Sequence, residues 1–222
     1  MASLKLKTTA IVSQPYVQNT YIASLGDRQE CLVVDPGLEP EKILAHLDER
    51  QLVPAAILIT HGHVDHIGGN AALKARWPDC PLVWGRNGSS TLARLTKSVS
   101  SVLGGAAKSP PPDIQVGEND TYSAAGFELS VREIPGHAPD HIVFVWSAGT
   151  PAYVFAGDVL FQGSVGRTDL PGGSFEQLRA GIHEKLFTMA DDTVIFPGHG
   201  APTTIGEEKQ TNPFVGAPSG YR

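Results

Sequence analysis

Three imidazoles and one carboxylate fall within the seven residues Thr60-His61-Gly62-His63-Val64-Asp65-His66, directly after the apolar run Ala55-Ala56-Ile57-Leu58-Ile59. Neutral imidazole nitrogens and carboxylate oxygens are ligands for zinc and for first-row metals of similar softness. One tetrahedral ion does not readily use four groups so crowded and still keep a position open for chemistry. The run therefore points to a metal site, and to two ions rather than one.

Further donors stand in a repeated context. His137 closes Leu129-Ser130-Val131-Arg132-Glu133-Ile134 within Pro135-Gly136-His137. Asp158 closes Ala152-Tyr153-Val154-Phe155-Ala156 within Gly157-Asp158, and His199 closes Val194-Ile195-Phe196 within Pro197-Gly198-His199. A glycine before each donor permits close backbone approach or a positive φ. A single Gly-His or Gly-Asp pair is weak evidence. Three of them, each ending an apolar strand pattern, predict one rim of a sheet that gathers ligands.

The elements that must position these donors alternate in the first half of the chain. Tyr16 to Leu25 and Cys31 to Val34 read as strands around the turn Gly26-Asp27-Arg28. Pro40 to Leu52 carries Ile43, Leu44, Leu47 and Leu52 at helical spacing. Ala55 to Ile59 suits a strand buried on both faces, and Ile67 to Trp77 reads as a helix with Asp65 and His66 at its positive end. Asn87 to Val102 has a weaker helical pattern, and Gly104 to Pro112 reads as a long loop. Beyond it, Phe127 to Ile134, His141 to Trp146, Ala152 to Phe155 and Thr193 to Phe196 are expected as strands. Ser174 to Phe187 is expected as a helix opened by a Ser174/Gln177 capping box. With no repeat, linker or shift in composition, residues 1–222 are expected to form a single domain.

The totals narrow the function classes. Hydrophobic residues make up 41% and charged residues 18%, as in a globular protein rather than a disordered tail. A formal charge of −6, with no Lys or Arg run to override it, argues against nucleic acid as a partner. The start lacks the apolar core of a secretory signal, and no stretch approaches the twenty or so apolar residues of a membrane helix. No membrane partner and a cytoplasmic location are the expectation. Cys31 and Cys80 make no disulfide framework and are expected to be inert.

On these residues the chain resembles the metallo-β-lactamase superfamily, and within it the glyoxalase II (hydroxyacylglutathione hydrolase) branch in its short bacterial form, without the C-terminal helical domain. The resemblance rests on His61, His63, Asp65, His66, His137, Asp158 and His199, and extends through Gly157-Asp158-Val159-Leu160-Phe161 and Gly166-Arg167-Thr168-Asp169. It implies an α/β fold of the αββα sandwich type, two mixed β-sheets face to face with helices outside. It also implies two divalent metal ions, zinc first and iron or manganese next. His61, His63 and His137 would hold one, Asp65, His66 and His199 the other, with Asp158 bridging.

Such a pair supports hydrolysis. Two cations roughly 3.5–4 Å apart hold a hydroxide between them and clamp the oxygens of a developing tetrahedral intermediate. Asp65, with a second carboxylate oxygen, is the candidate to orient the nucleophile and accept its proton. The expected substrate is a small-molecule glutathione thioester such as S-lactoylglutathione. The alternative is an iron-dependent glutathione persulfide dioxygenase on the same fold, whose pattern has Cys where Val165 stands here. The aromatic glutathione contacts of the glyoxalase II family are not evident, since Asp169 and Ala201 stand at those places.

Arg167 carries two readings of equal weight: a salt bridge within a Gly-rich connection, or a guanidinium that grips a substrate carboxylate in bidentate fashion. His141 is assigned to supporting hydrogen bonds or packing. His46 and His183 are read as structural, and Arg132 as part of a solvated face. Asp35, between a strand and Pro36-Gly37, is a turn residue by default, with support of a histidine as the other reading.

Overall fold

The computed structural model describes residues 5–86, 88 and 109–222. One sheet has the order β1 (Leu6–Ser13), β2 (Gln18–Leu25), β3 (Glu30–Val34), β4 (Val53–Ile59), β5 (Leu82–Gly85) and β6 (Ile114–Val116). Its first two pairings are antiparallel and its last three parallel. The second six-stranded sheet runs β14 (Thr203–Thr204), β13 (Val194–Pro197), β10 (Tyr153–Gly157), β9 (Ile142–Trp146), β8 (Phe127–Glu133) and β7 (Thr121–Ala124). Only β10 and β13 are parallel within it. A two-residue pair, β11 (Leu160–Phe161) and β12 (Ser164–Val165), leads away from Asp158.

Strand alternation builds the layers. Along β4, Ala56 and Leu58 face the inter-sheet core while Ile57 and Ile59 face the helices α1 (Pro40–Glu49) and α3 (Asn70–Arg76). Along β9, Ile142, Phe144 and Trp146 face inward, and Val143 and Val145 face the helix Phe175–Gly181 and its π-helical continuation Ile182–Leu186. Three apolar layers between four layers of elements make an αββα sandwich with two mixed sheets. Each fully buried Leu, Ile or Phe side chain contributes roughly 1.5–3 kcal/mol. Among the described residues no helix is long and apolar enough to cross a membrane.

Several boundaries differ from the sequence expectation. The first strand, β1, was not expected; half of its residues are exposed and one is buried, without clean alternation. The helix expected over Ile67 to Trp77 is two short ones, α2 (Val64–Ile67) and α3, separated at Gly68-Gly69. There the backbone turns so that Gly69 N–H donates to the Pro36 carbonyl at 2.8 Å. The helix expected over Ser174 to Phe187 is α-helical only to Gly181, and Ser174 Oγ accepts from the Gln177 amide as its cap. Apart from Gly88, the helix expected over Asn87 to Val102 lies outside the described residues, as do residues 104–108 of the expected loop. Arg132, expected on a solvated face, is half-buried and donates to the Lys185 carbonyl.

Candidate metal centre

All seven donors lie where strands end at one edge of the sandwich. Thr60 follows β4 and opens the His61–His66 run, Asp158 follows β10, His199 lies two residues past β13 and His137 four past β8. Here the two sheets are tied to each other: Ile142 N–H donates to the Thr60 carbonyl at 2.9 Å, and Asn19 N–H to the Gly198 carbonyl at 2.7 Å. The Asn19 side chain donates further to the Pro197 and Gly200 carbonyls at 3.0 and 2.8 Å, which fixes the turn that carries His199.

The donors form two groups, His61, His63, His137 and Asp158, and Asp65, His66 and His199. In each group one donor atom per residue lies within 4.8 Å of every other. Asp158 faces both: Oδ2 is 3.4 Å from His137 Nε2 and 3.5 Å from His199 Nε2, and Oδ1 is 3.4 Å from His66 Nε2. Asp65 Oδ2 is 3.4 Å from His199 Nε2 and 3.7 Å from His66 Nε2.

The second ring nitrogens settle which atom of four histidines is free to ligate. His137 Nδ1 contacts the Arg167 carbonyl at 2.7 Å and His199 Nδ1 the Tyr16 carbonyl at 3.0 Å. A carbonyl only accepts, so both Nδ1 atoms carry a proton, and Nε2 is the atom that offers a lone pair to the site when the ring is neutral. His66 Nδ1 donates in the same way to Asp35 Oδ2 at 3.0 Å. Thr60 Oγ1 donates to Asp35 Oδ2 at 2.7 Å, so it accepts from His61 Nδ1 at 3.1 Å. In the first group His63 Nδ1 then stands 3.0 Å from His61 Nε2 and 2.8 Å from His137 Nε2. One proton on His63 serves only one of those contacts, whereas a cation serves all three lone pairs. His66 Nε2 and Asp158 Oδ1 are buried without a hydrogen-bond partner among the described residues. This donor set fits metal ions.

Titration behaviour separates the groups. Burial, then the neighbouring imidazoles, holds His61 well below its ordinary value and His63 down at about 4. Burial lowers His137 too, against the pull of Asp158. These three are neutral, the ligating form. Burial also opposes charge on His66 and His199, but Asp158, Asp65 and, for His66, Asp35 raise them to about 9 and about 10. Burial resists ionisation of Asp158, yet His66, His199 and His137 hold it well below the carboxylate range. Protons on His66 and His199 thus balance carboxylates that a cation would otherwise neutralise.

Glycine before a donor has a distinct reason at two places. Gly157 has φ +48°, the left-handed region. A Cβ on Gly198 would come 2.6 Å from His66 Cε1, so only glycine lets that strand end approach the site.

Asp35 is buried at φ +50° and accepts from the Thr60 amide, the Thr60 hydroxyl and His66, so of its two sequence readings the support of a histidine is the one the structure shows. Asn19 had no signal in the sequence, because its partners lie about 180 positions away. His141 accepts the Asp158 amide proton at 3.0 Å and stacks on His61. Arg167 touches the site through its carbonyl, while its guanidinium meets Asp169 in a bidentate pair at 2.7 and 2.7 Å, both side chains exposed. Cys31 and Cys80 are free and buried, their thiols pushed up by burial to about 12 and about 11. His46 and His183 are half-buried, away from both groups.

An αββα sandwich with histidines and aspartates gathered at one sheet edge defines a metal-dependent hydrolase. The chain belongs to the metallo-beta-lactamase superfamily, whose profile matches residues 14–199. It is 38% identical over 202 residues to a probable metallo-hydrolase, YqgX, of Bacillus subtilis, covering 90% of this chain and 93% of that one. It is 36% identical over 201 residues to the hydroxyacylglutathione hydrolase GloC of Haemophilus influenzae, covering 87% and 91%. Among solved structures it is similar to the BLEG-1 B3 metallo-beta-lactamase, with a TM-score of 0.85 and 34% identity over 94% of this chain and 99% of that one. It is also similar to TTHA1623 in a di-iron-bound form, with a TM-score of 0.81 and 35% identity over 93% and 100%.

Proposed function

We propose that this chain is a binuclear metal-dependent thioester hydrolase acting on a glutathione thioester such as S-lactoylglutathione. The two-ion part rests on one observation: the Asp158 carboxylate faces both donor groups at 3.4–3.5 Å. The substrate class is supported by the similarity to a hydroxyacylglutathione hydrolase.

His61, His63 and His137 would hold one divalent cation and Asp65, His66 and His199 the other, with Asp158 shared. Zinc is the first candidate; iron and manganese suit the same donors, and a similar protein was crystallised with two irons. Such cations polarise an acyl carbonyl and, for zinc, bring the pKa of bound water to about 7. Asp65 directs Oδ2 at His66 and His199, which leaves Oδ1 to orient an attacking water and accept its proton. No serine or cysteine nucleophile is required. His199 is 28% exposed and His63 half-buried, whereas His61 and His66 are fully buried, so the centre opens toward the side that carries His63 and His199. Arg167 is the candidate to hold a carboxylate of the thiol carrier, in competition with Asp169.

The persulfide dioxygenase alternative needs one iron and leaves Asp65, His66 and His199 idle. Their assembly around Asp158 favours hydrolysis. The test is elemental analysis of protein purified without chelators, paired with a thioester assay on the same sample. Two metals per chain with turnover at neutral pH is the expected result. No thioester hydrolysis by fully metallated protein defeats the proposal, and oxygen uptake with glutathione persulfide at one iron per chain reverses the ranking.

A further inference from the structure

A groove of about 400 Å³ opens on the outer face of the first sheet, at the end away from the metal centre. One wall is made by β1 and β2, where Lys7 pairs with Ser24 and Thr9 with Ile22. The other is the end of α1, with His46 in the helix and Arg50 just past it. The β2–β3 turn, residues 26–29, closes the groove. Strand β2 runs from Gln18, beside the metal centre, to Leu25, so the two places lie roughly 20 Å apart at about 3.3 Å per residue.

The groove gathers donors that nothing else uses. Among the described residues, the side chains of Thr9, Ser24, Gln29, His46 and Arg50 make no hydrogen bond or ion pair. Ser24 is only 7% exposed, so its hydroxyl has little bulk water to turn to. Lys7 meets Asp27 at 2.8 Å, and Arg28 approaches Glu30 at 3.7 Å, beyond hydrogen-bond distance. Three cationic side chains and an imidazole thus face one lining carboxylate, in a chain whose formal charge is −6. A basic group in the last turn of a helix is ordinary, because it meets the negative end of the helix. That accounts for His46 and Arg50. It does not account for a further cation and two hydroxyls converging on the same space from β1 and β2. Beneath them Ile22, buried, and Leu52, half-buried, form an apolar floor.

We propose that this groove binds a phosphate monoester of a small organic molecule, independently of the metal centre. A carboxylate presents two oxygens, fewer than the donors gathered here, whereas a phosphate monoester presents three. The Arg50 fork takes two of them, and the Ser24 hydroxyl and His46 reach the same group from the opposite wall and the helix. The volume lies within the range of small-molecule sites, and inorganic phosphate fills only part of it. An organic body over Ile22 and Leu52 fills the rest. The thioester reading has no part in this assignment.

The test uses the full, metal-loaded chain at low ionic strength, with phenyl phosphate and inorganic phosphate as probes. Calorimetry measures both on the natural chain, Arg50→Ala and His46→Ala. Neither side chain has a partner to lose, so the urea midpoint is expected to stay level in both variants. Phenyl phosphate is expected to bind at one place and to lose about tenfold in affinity in Arg50→Ala, as when one charge-assisted contact is removed. Inorganic phosphate is expected to bind roughly threefold or more weakly than phenyl phosphate, because it leaves the apolar floor uncovered. Amide shifts on the natural chain locate the probe without any variant: Ser24 and residues 26–29 move, and Gly62 and Gly198 do not.

Shifts at Gly62 or Gly198, with affinity undiminished in both variants, put the phosphate on the metal ions and overturn the groove. The absence of saturable binding at millimolar concentrations overturns it as well. Equal affinity for the two probes removes the organic body and overturns the ester assignment. Binding at residues 26–29 in protein that hydrolyses no thioester supports the groove while the function proposed above fails.

Discussion

Asp35 Oδ2 accepts from His66 Nδ1 at 3.0 Å while the same carboxylate accepts the Thr60 amide at 2.8 Å and the Thr60 hydroxyl at 2.7 Å. One buried side chain at the end of β3 therefore sets the orientation of a donor in the second group and, through Thr60, of His61 in the first.

Asp35→Asn keeps the shape but replaces one acceptor oxygen with a donor. Metal affinity at the second group is expected to fall about 10–100-fold, the usual effect of losing a residue that orients a ligand. The first group, reached only through the Thr60 hydroxyl, falls less. Stepwise metal titration by calorimetry resolves the two; an equal loss at both groups contradicts the assignment.

Protons and metal compete at His66 and His199 but not in the first group. In the metal-free protein their raised values, about 9 and about 10 against an ordinary 6.5, mean that the protonated forms stabilise the fold. That stability is fully present below pH 6.5 and is lost as pH rises through about 9 and about 10. Metal needs the neutral imidazoles, so uptake at the second group releases about two protons at pH 7. Uptake at His61, His63 and His137, whose values are lowered, releases none from those rings. Calorimetry in buffers of different ionisation enthalpy counts the protons for each step.

Gly198→Ala inserts a methyl group against Asp158 Oδ1 and 2.6 Å from His66 Cε1. The expected destabilisation is about 1–3 kcal/mol, as for other overpacked sites, with metal content lowered because the methyl displaces a carboxylate that faces both groups. Urea unfolding and metal content per chain check both parts. Full retention of two ions would show that the strand end has room to move.

Arg167→Ala separates the two roles of that residue. Its carbonyl still orients His137, so metal content and the urea midpoint are expected to stay unchanged. KM for a glutathione thioester rises severalfold with kcat preserved, as when binding common to ground and transition states is removed. Asp169→Asn moves KM the other way, because it frees the guanidinium from its bidentate partner. Steady-state kinetics at low ionic strength distinguish these from no effect, the result expected of a salt bridge with no part in binding.

Most of the site was legible because its chemistry is carried by rare residue types in a repeated local context. Histidine and aspartate behind Gly at the ends of apolar strands do not need a fold to be noticed, and all seven donors come together as those contexts imply. Elements buried on both faces, such as β4 and β9, were legible for the same reason: near-continuous apolar runs have few other uses. β1 was not, because an edge strand with half its residues exposed and only one buried carries little alternation. Gly68-Gly69 does not by itself mark the break, because a glycine pair weakens a helix without forbidding it. The break there follows from the approach of Pro36, which lies outside the local window.

Sequence by itself determined the donor types, their placement at strand ends, the layered alternation of the sandwich and the family resemblance. Tertiary structure alone decided that Asp158 faces both groups and that Asp35 and the Tyr16 carbonyl select the ligating nitrogens of His66 and His199. The reason is physical. Donor chemistry and strand or helix period are local properties that a short window carries. A carboxylate that faces two donor groups and the proton position on a ring depend on distances of about 3 Å between residues up to some 180 positions apart. Those distances exist only once the two sheets close on each other.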